Sequence, residues 1–420
     1  MGRTATGSRK DKSGHVLRPG ETQRSKGDLY CYSYTDSDGT RRFVYSASLV
    51  DLREKERAIR KNLDNGINSY AAATETVNST FDRMIELRKS IRDTTKSNYQ
   101  YMYNRFIRET SFGKKKLIDV RYSDVLGFYN SLIDEQNLSV GTVDTIHTVL
   151  HLTFDLAVKD DLIRKNPTAG VIREIRSRHD VSYGVRKALT HEQQKRFMQF
   201  VANDPVASSW WPLFTVLLGT GMRIGECIAL RWCDIDYEKN VIHVEHNFVY
   251  YAGQDTNQIH GMYKQIGAPK TSTGIRTIPL LPVVKEAFDI LKSREERTGP
   301  CREVISGLSG FIFQNRYGDI MMPSTVNRAI TRFVDRCNEE EILAAEKEKR
   351  EPVIVPHFSC HILRHTFATR LCECESNLKV IQSIMGHKDI ETTMDVYAEA
   401  TEQGKERCFN NLDNELNALF

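Results

Sequence analysis

Between Arg176 and Lys187 the chain reads RSRHDVSYGVRK, a polar stretch with no apolar periodicity and the composition of a linker. A sequence broken at that point cannot bury its apolar side chains in one continuous core, so separately packed parts are expected on either side. The 420 residues, 40% of them hydrophobic, suffice for two or three domains. No apolar run approaches the roughly 18 residues of a membrane span. The opening MGRTATGSRKDKSG lacks the apolar centre of a secretory signal, so a cytoplasmic chain with no membrane partner is expected. Nine cysteines are scattered singly apart from Cys372 and Cys374, which fits small buried residues in a reducing compartment rather than a disulfide framework. A net charge of +4 permits a nucleic-acid partner without requiring one.

Residues 1–14 are polar and basic and are expected to form a disordered tail, with order beginning near Val16. LRPG and then DLYCYSYTDSDGTRRFVYS read as strands, the second and third joined at the turn Asp38-Gly39. Alternation places Tyr30, Tyr32 and Tyr34 on one face, and a charged helix is expected from Leu49 to Leu63. Arg18, Arg24, Lys26, Arg41 and Arg42 lie along this sheet; a solvated hairpin and a DNA-reading surface both account for them. From about residue 76 to 175 the pattern is helical. Tyr99, Met102, Tyr103 and Phe106 recur at i, i+3, i+4 and i+7. A second helix carries Ile146, Leu150, Phe154 and Ala157 and must stop before Asn166-Pro167, because proline has no N–H to donate. After the linker, LTHEQ opens a new domain in which Thr190 caps a helix and Gln193 returns the bond. Strand-like alternation follows in VIHVEHNFVYY from Val241 and in GIRTIPL ending at Leu280. The charged NEEEILAAEKEKRE, Asn338 to Glu351, reads as a solvated helical insertion.

Chemistry concentrates in four stretches. In HILRHTFATR, His361, Arg364 and His365 share a helical face and Arg370 lies roughly opposite. Taken singly, each histidine reads as a satisfied core residue and Arg364 as a side chain reaching back to water. Zinc suits histidines at i and i+4, but Arg364 would set a fixed charge between the ligands, and the glutamate of H-E-x-x-H is missing. No metal is therefore expected. An oxyanion site is the third reading, since the planar fork of arginine binds two phosphate oxygens and the phosphate neutralises it. GTGMRIGECIALRWCDID, Gly219 to Asp236, supports it: the spacing of Ile224, Cys227 and Ile228 starts a helix at Arg223, where free amides and the helix dipole favour an anion. Its glycines run G-x-G-x-x-x-G, which is not the dinucleotide fingerprint, and no G-K-[ST] follows. Glu226, one turn on, either holds the Arg223 guanidinium or faces water. APKTSTGIRTIPL reads as a hairpin with Lys270 near its turn, a surface lysine or a general acid. Finally, IMGHKDIETTMDVYA places His387 in a turn after Gly386 and Tyr397 on the next helix.

These elements stand in one order: R-x-x-E at a helix opening, a lysine in a hairpin, H-x-x-R, then G-H followed ten residues later by tyrosine. Together they resemble the tyrosine recombinase (phage integrase) family across the whole catalytic domain, and within it the integrases of integrative conjugative elements. The resemblance implies an active-site set of Arg223, Lys270, His361, Arg364 and His387, a nucleophile Tyr397 and a supporting Glu226. Lys264 is the alternative lysine. The implied fold is multi-domain and mainly α with small β-sheets. It comprises an arm-type DNA-binding domain at 15–66 with a three-stranded sheet and helix, an all-helical core-binding domain at 76–175, and a linker at 176–188. A mixed α+β catalytic domain at 189–400 and a helical tail at 401–420 that docks on a neighbouring subunit complete it. The implied activity is site-specific recombination through a 3′-phosphotyrosine, integrating and excising a mobile element without cofactor, ATP or metal. Implied partners are double-stranded DNA, further copies in a tetramer, and an excisionase or host DNA-bending protein. A type IB-like topoisomerase or telomere resolvase would use the same nucleophile. A non-catalytic DNA-binding regulator would have an incomplete active site, and a phosphohydrolase built on His361 and Arg364 would leave the N-terminal modules unexplained.

Overall fold

The computed structural model describes residues 9–24, 28–36, 39–64, 74–179, 187–252, 262–269, 272–398 and 400, and the chain divides into two units, residues 1–183 and 184–420. The first unit opens with a sheet of order β1-β2-β3, formed by β1 (Glu21–Gln23), β2 (Tyr30–Thr35) and β3 (Arg41–Ser46). Tyr30 stands opposite Ser46 and Thr35 opposite Arg41. Tyr32 and Tyr34 pack with Leu52 and Ile59 of helix α1 (Leu49–Leu63), the face that alternation predicts. LRPG, however, is a turn and not a strand: the Arg18 carbonyl accepts from the Glu21 N–H at 3.0 Å and Gly20 takes φ +91°. This is the Pro-Gly pattern of a type II turn, in which Pro19 has no N–H for a ladder. The expected basic tail is folded from Arg9 onward. Lys10 bridges Val16, and the Asp11 carboxylate accepts from the N–H groups of Ser13 and His15 and from the Tyr30 hydroxyl. A loop organised around one carboxylate has no apolar period for sequence reading to detect. Asp38 of the expected turn lies outside the described residues.

The rest of this unit is helical: α2 (Val77–Leu87), α3 (Asp93–Phe106), α4 (Ser111–Lys114), α5 (Tyr122–Asp134), α6 (Val140–Lys159) and α7 (Val171–Arg178). Tyr103, Ile146, Leu150, Phe154 and Ala157 are fully enclosed in one core, as the spacing requires. Helix α6 stops at Lys159, well short of Pro167. Helix α7 continues three residues into the stretch read as linker, with Arg176 and Arg178 in its last turn, where cations suit the negative end of the dipole.

In the second unit, α8 (His191–Asn203) starts with the expected reciprocal cap: Thr190 accepts from the Gln193 N–H at 3.1 Å, and the Gln193 side chain accepts from the Thr190 N–H at 3.0 Å. Helices α9 (Trp211–Thr220), α10 (Ile224–Ile228), α11 (Pro282–Thr298), α12 (Pro323–Glu348), α13 (Cys360–Cys374) and α14 (Leu378–Met385) follow, and residues 390–398 are again helical. Two small antiparallel sheets accompany them. One is β4 (Ile235–Asp236), β5 (Val241–Val244) and β8 (Arg276–Pro279) in the order β4-β5-β8; the other pairs β6 (Asn247–Ala252) with β7 (Met262–Gly267). VIHVEHNFVYY is thus two strands in separate sheets. Lys270, at the turn of the expected hairpin, lies outside the described residues, but the strands on either side of it do not pair with each other: β7 pairs with β6 and β8 with β5.

The segment read as a solvated insertion is the second half of α12, and one of its faces is buried, with Glu341 at 2% and Ala345 at 1% exposure. Glu341 accepts from Arg350 at 2.5 Å and from the Val353 N–H at 3.0 Å, and pairs with Arg196 at 3.2 Å. The Arg350 hydrogen bond is the main cause that holds its pKa down, to about 2. A depressed carboxyl contributes stability that is complete above the unfolded value near 4.5 and lost as pH falls through the folded one. Urea denaturation of the full chain is therefore expected to show stability falling between about pH 4.5 and 2. Glu341→Ala is expected to flatten that step and to cost about 2–3 kcal/mol at neutral pH.

Candidate active site

Helix α13 is buried on nearly every side; Cys360, Leu363, Arg364, Thr366, Ala368, Thr369 and Cys372 are all enclosed. The expected polar face is therefore divided. His361 is exposed and His365 half-buried, whereas Arg364 is only 4% exposed. Arg364 donates from Nη1 to the Gly221 carbonyl at 2.7 Å and from Nη2 to the Met385 carbonyl at 2.6 Å. Arg370 turns away and donates to the Leu189 carbonyl while pairing with Glu373. Gly221 has φ +61°, and a Cβ there would lie 2.2 Å from the Phe367 ring. Glycine is required at this point so that the end of α9 can lie directly against α13.

Arg223 occupies the N-cap of α10, as its position after the glycines predicts. The Glu226 carboxylate accepts from the Arg223 backbone N–H at 2.9 Å and from Arg223 Nη1 at 2.7 Å. Of the two options open to Glu226, holding the guanidinium is realised. Its second main partner is a residue that sequence reading missed: Arg276 of β8, whose Nη2 reaches Glu226 at 2.8 Å. Burial raises the Glu226 pKa, but the Arg276 hydrogen bond and the charges of Arg276 and Arg223 outweigh it and hold the carboxyl below the ordinary glutamate range.

The three arginines converge on one helix end. Consecutive carbonyls at the C-terminus of α14 each accept from a different guanidinium: Ile384 from Arg276 at 2.8 Å, Met385 from Arg364 at 2.6 Å, and Gly386 from Arg223 at 3.4 Å. Partial negative charge at a helix C-terminus suits cations, and Gly386, at φ +63°, lets the turn close over them. His387 follows, 8% exposed, with Nδ1 3.0 Å from the Thr393 hydroxyl. Burial, then the charges of Arg364, Arg223 and Arg276, press its pKa down to about 4, so the imidazole is neutral at pH 7. Burial and Arg223 also lower Arg364 to about 9, still protonated at neutral pH. Three guanidiniums against one carboxylate leave a net charge of +2, with Arg276 and Arg364 nearly dry and Arg223 open to solvent, which an anion would offset.

Tyr397 lies on the helix 390–398 and is half-buried in a small apolar cluster with Ala368, Cys372, Ile381, Met385 and Val396. Met385 belongs both to this cluster and, through its carbonyl, to the arginine site. Lys270 lies outside the described residues. Its flank does reach the site, since the Thr273 carbonyl would be 2.9 Å from a Cβ on Gly386. Lys264, in β7, is paired with Glu303 at 2.5 Å. Among the described residues no group of three His, Cys, Asp or Glu side chains is arranged to hold a metal ion, and no helix is long and apolar enough to cross a membrane.

Of the N-terminal cations, Arg24 stacks on Tyr45 at 4.8 Å and donates to its hydroxyl at 2.9 Å, and Arg41 lies 5.7 Å over Phe43. Phe43 and Tyr45 are exposed on the sheet face away from α1. Arg42 alternates onto the face of Val44, and Arg18 lies 4.0 Å from buried Glu56. The four described cations therefore do not form one row; Lys26 lies outside the described residues.

Positive charge fixed in place beforehand can stabilise negative charge that develops on a phosphate. Residues 187–403 match the phage integrase family and residues 5–63 match the DNA binding domain of Tn916 integrase. The chain belongs to the phage integrase family, and its enzyme class is that of the tyrosine recombinases, which exchange DNA strands. It is 28% identical over 410 residues to the transposase from transposon Tn916 of Enterococcus faecalis, covering 94% of each chain. It is 23% identical over 383 residues to a XerC-like tyrosine recombinase of Caldanaerobacter subterraneus subsp. tengcongensis, covering 89% of this chain and 92% of that one. The fold is similar to that of the Tn1549 transposon integrase in complex with transposon right end DNA, with a TM-score of 0.66 at 28% identity, over 79% of this chain and 99% of that one.

Proposed function

We propose that this recombinase joins the ends of a conjugative-transposon-type element to target DNA, and excises them, with Tyr397 as nucleophile. The observation that carries the reading is the net positive charge held by Arg223, Arg276 and Arg364 around one carboxylate, at the turn leading to His387 and Tyr397. A tyrosine hydroxyl of pKa about 10 is a weak nucleophile at neutral pH and needs both a proton acceptor and a neutralised target. In the proposed step the Tyr397 oxygen attacks the scissile phosphorus and its proton passes toward His361. The bond to the 5′-oxygen breaks, and Lys270 protonates that leaving oxygen. The 3′-phosphotyrosine retains the bond energy, so a second 5′-hydroxyl reverses the step and joins a new strand without a nucleotide cofactor.

Arg223 and Arg364 take the non-bridging oxygens, and His387 donates to one of them as a neutral imidazole. An arginine in this role contributes roughly 10³ to 10⁵ in rate, about 4 to 7 kcal/mol. The pairing of Lys264 with Glu303 favours Lys270 over Lys264 as the acid. Arg24 and Arg41, beside Phe43 and Tyr45, offer the sheet face to a major groove. Arg18, Lys26 and Arg42 are proposed to add phosphate contacts. Two duplexes need four cleavages and each chain brings one such tyrosine, so the working assembly is a tetramer on DNA, held in part by residues 401–420 docking on a neighbour. An excisionase or a host DNA-bending protein would bias the direction, and the bacterial nucleoid is the expected place of work.

The test uses a nicked end duplex, whose severed fragment diffuses away after cleavage, together with a second, differently labelled duplex. A protein–DNA adduct surviving denaturation, and label passing between duplexes, are expected with EDTA present. Adduct without label transfer would make the chain a topoisomerase or resolvase, and the absence of adduct on end DNA would overturn the reading.

A further inference from the structure

Arg276 is buried, its side chain 4% exposed, yet all three of its guanidine nitrogens have partners. Nη2 donates to Glu226 at 2.8 Å, Nε to the Ile384 carbonyl at 2.8 Å, and Nη1 to the Gly274 carbonyl at 3.1 Å. Those three acceptors belong to three separate segments. Glu226 orients Arg223, Ile384 lies in the last turn of α14 just before His387, and Gly274 ends the short helical turn Ser272–Gly274 that precedes β8. The packing allows little slack: a Cβ on Gly386 would lie 3.1 Å from both Cδ and Nη1 of Arg276. We propose that Arg276 is a positioning residue that fixes Arg223, the Ser272–Gly274 turn and the His387 turn relative to one another, without touching the DNA.

The geometry separates this role from that of a phosphate ligand. Arg276 donates from Nε, Nη1 and Nη2 to acceptors within the protein, whereas Arg223 is 39% exposed at its side chain and Arg364 is held through Nη1 and Nη2. It also separates the role from simple core filling. In β8, alternation aligns Arg276 with Ile278 and Leu280 on the buried face, and an apolar residue there would fill space while leaving Glu226 with Arg223 as its main cation. The Glu226 carboxylate would then draw Arg223 toward itself, and a displacement of about 1 Å at a reacting centre costs on the order of 10²-fold in rate.

This proposal rests on the phosphotyrosine reading above. Its test measures single-turnover adduct formation on the nicked end duplex by the full-length wild type and by Arg276→Met, Arg276→Lys, Glu226→Gln and the Arg276→Met/Glu226→Gln double variant, with thermal denaturation alongside. Arg276→Met is expected to slow adduct formation by about 100-fold at saturating DNA, while the half-saturating DNA concentration moves less than about threefold. Arg276→Lys keeps the charge toward Glu226 but cannot reach three acceptors, and is expected to recover about a tenth of the wild-type rate. The double variant is expected to be no slower than the slower single, because both changes break one linkage. If Arg276→Met does not fold, the lysine variant decides: a rate within threefold of wild type overturns the proposal. So do a wild-type-like rate for Arg276→Met, additive losses in the double variant, or a loss confined to DNA affinity. Wild-type protein that makes no adduct sinks the phosphotyrosine reading and this proposal with it, whereas adduct formation indifferent to Arg276 sinks this proposal alone.

Discussion

Replacing Tyr397 with phenylalanine is expected to abolish both the covalent adduct and strand exchange, with a loss of about 10⁵-fold or more, as when a catalytic nucleophile is removed. DNA affinity is expected to stay within about twofold. The ring of Tyr397 packs with Ala368, Cys372, Ile381 and Met385, and phenylalanine keeps that packing while removing the hydroxyl alone. Filter binding and a denaturing gel on the same end duplex separate the two effects. Strand exchange by the phenylalanine variant would mean that another group stores the broken backbone bond. An unchanged set of DNA products in wild type and variant would point to a DNA-binding regulator.

The parts legible in the sequence were those written in apolar period or in local capping chemistry. The spacing of Ile146, Leu150, Phe154 and Ala157 specifies one buried face of α6, and all four are fully enclosed. Thr190 and Gln193 specify where α8 begins, and Arg223 after two glycines specifies the opening of α10. What the sequence does not carry is which strand pairs with which. Alternation marks GIRTIPL as a strand, but only tertiary packing decides that β8 pairs with β5 and leaves β7 to β6. The charged half of α12 misled for a related reason: Glu341 and Ala345 share one buried stripe, and a glutamate at a core position reads as solvated until its arginine partners are known.

Arg276 shows where a usable signal was present. Read on the period of a strand, Arg276, Ile278 and Leu280 share one face, so an arginine stood at a core position and needed an explanation. The carbonyls of Ile384, Met385 and Gly386 carried no such signal, because any residue supplies a backbone oxygen. Their gathering of three guanidiniums depends on where α14 ends, and Gly386 is the one sequence mark of that.

The second large effect is expected at Arg364, where lysine is the informative replacement. Arg364 is 4% exposed, and burial together with Arg223 already brings its guanidinium down to about 9. An ammonium starts from a lower value than a guanidinium and yields more readily to burial, so a lysine placed there titrates much closer to neutrality. It also has one nitrogen where the arginine uses two, at Gly221 and Met385. Arg364→Lys is expected to lower adduct formation by roughly 10³- to 10⁵-fold at pH 7.5, the range for an arginine that stabilises a phosphoryl-transfer transition state. The sign of the pH effect follows from protonation: the charged fraction of a lysine rises as pH falls, so activity relative to wild type is expected to recover between pH 8 and 6. Arg364→Gln has no charge to regain and is expected to show no such recovery. Equal pH profiles for the two variants would mean that Arg364 serves by holding the Gly221 and Met385 carbonyls together, and not by carrying charge to the phosphate.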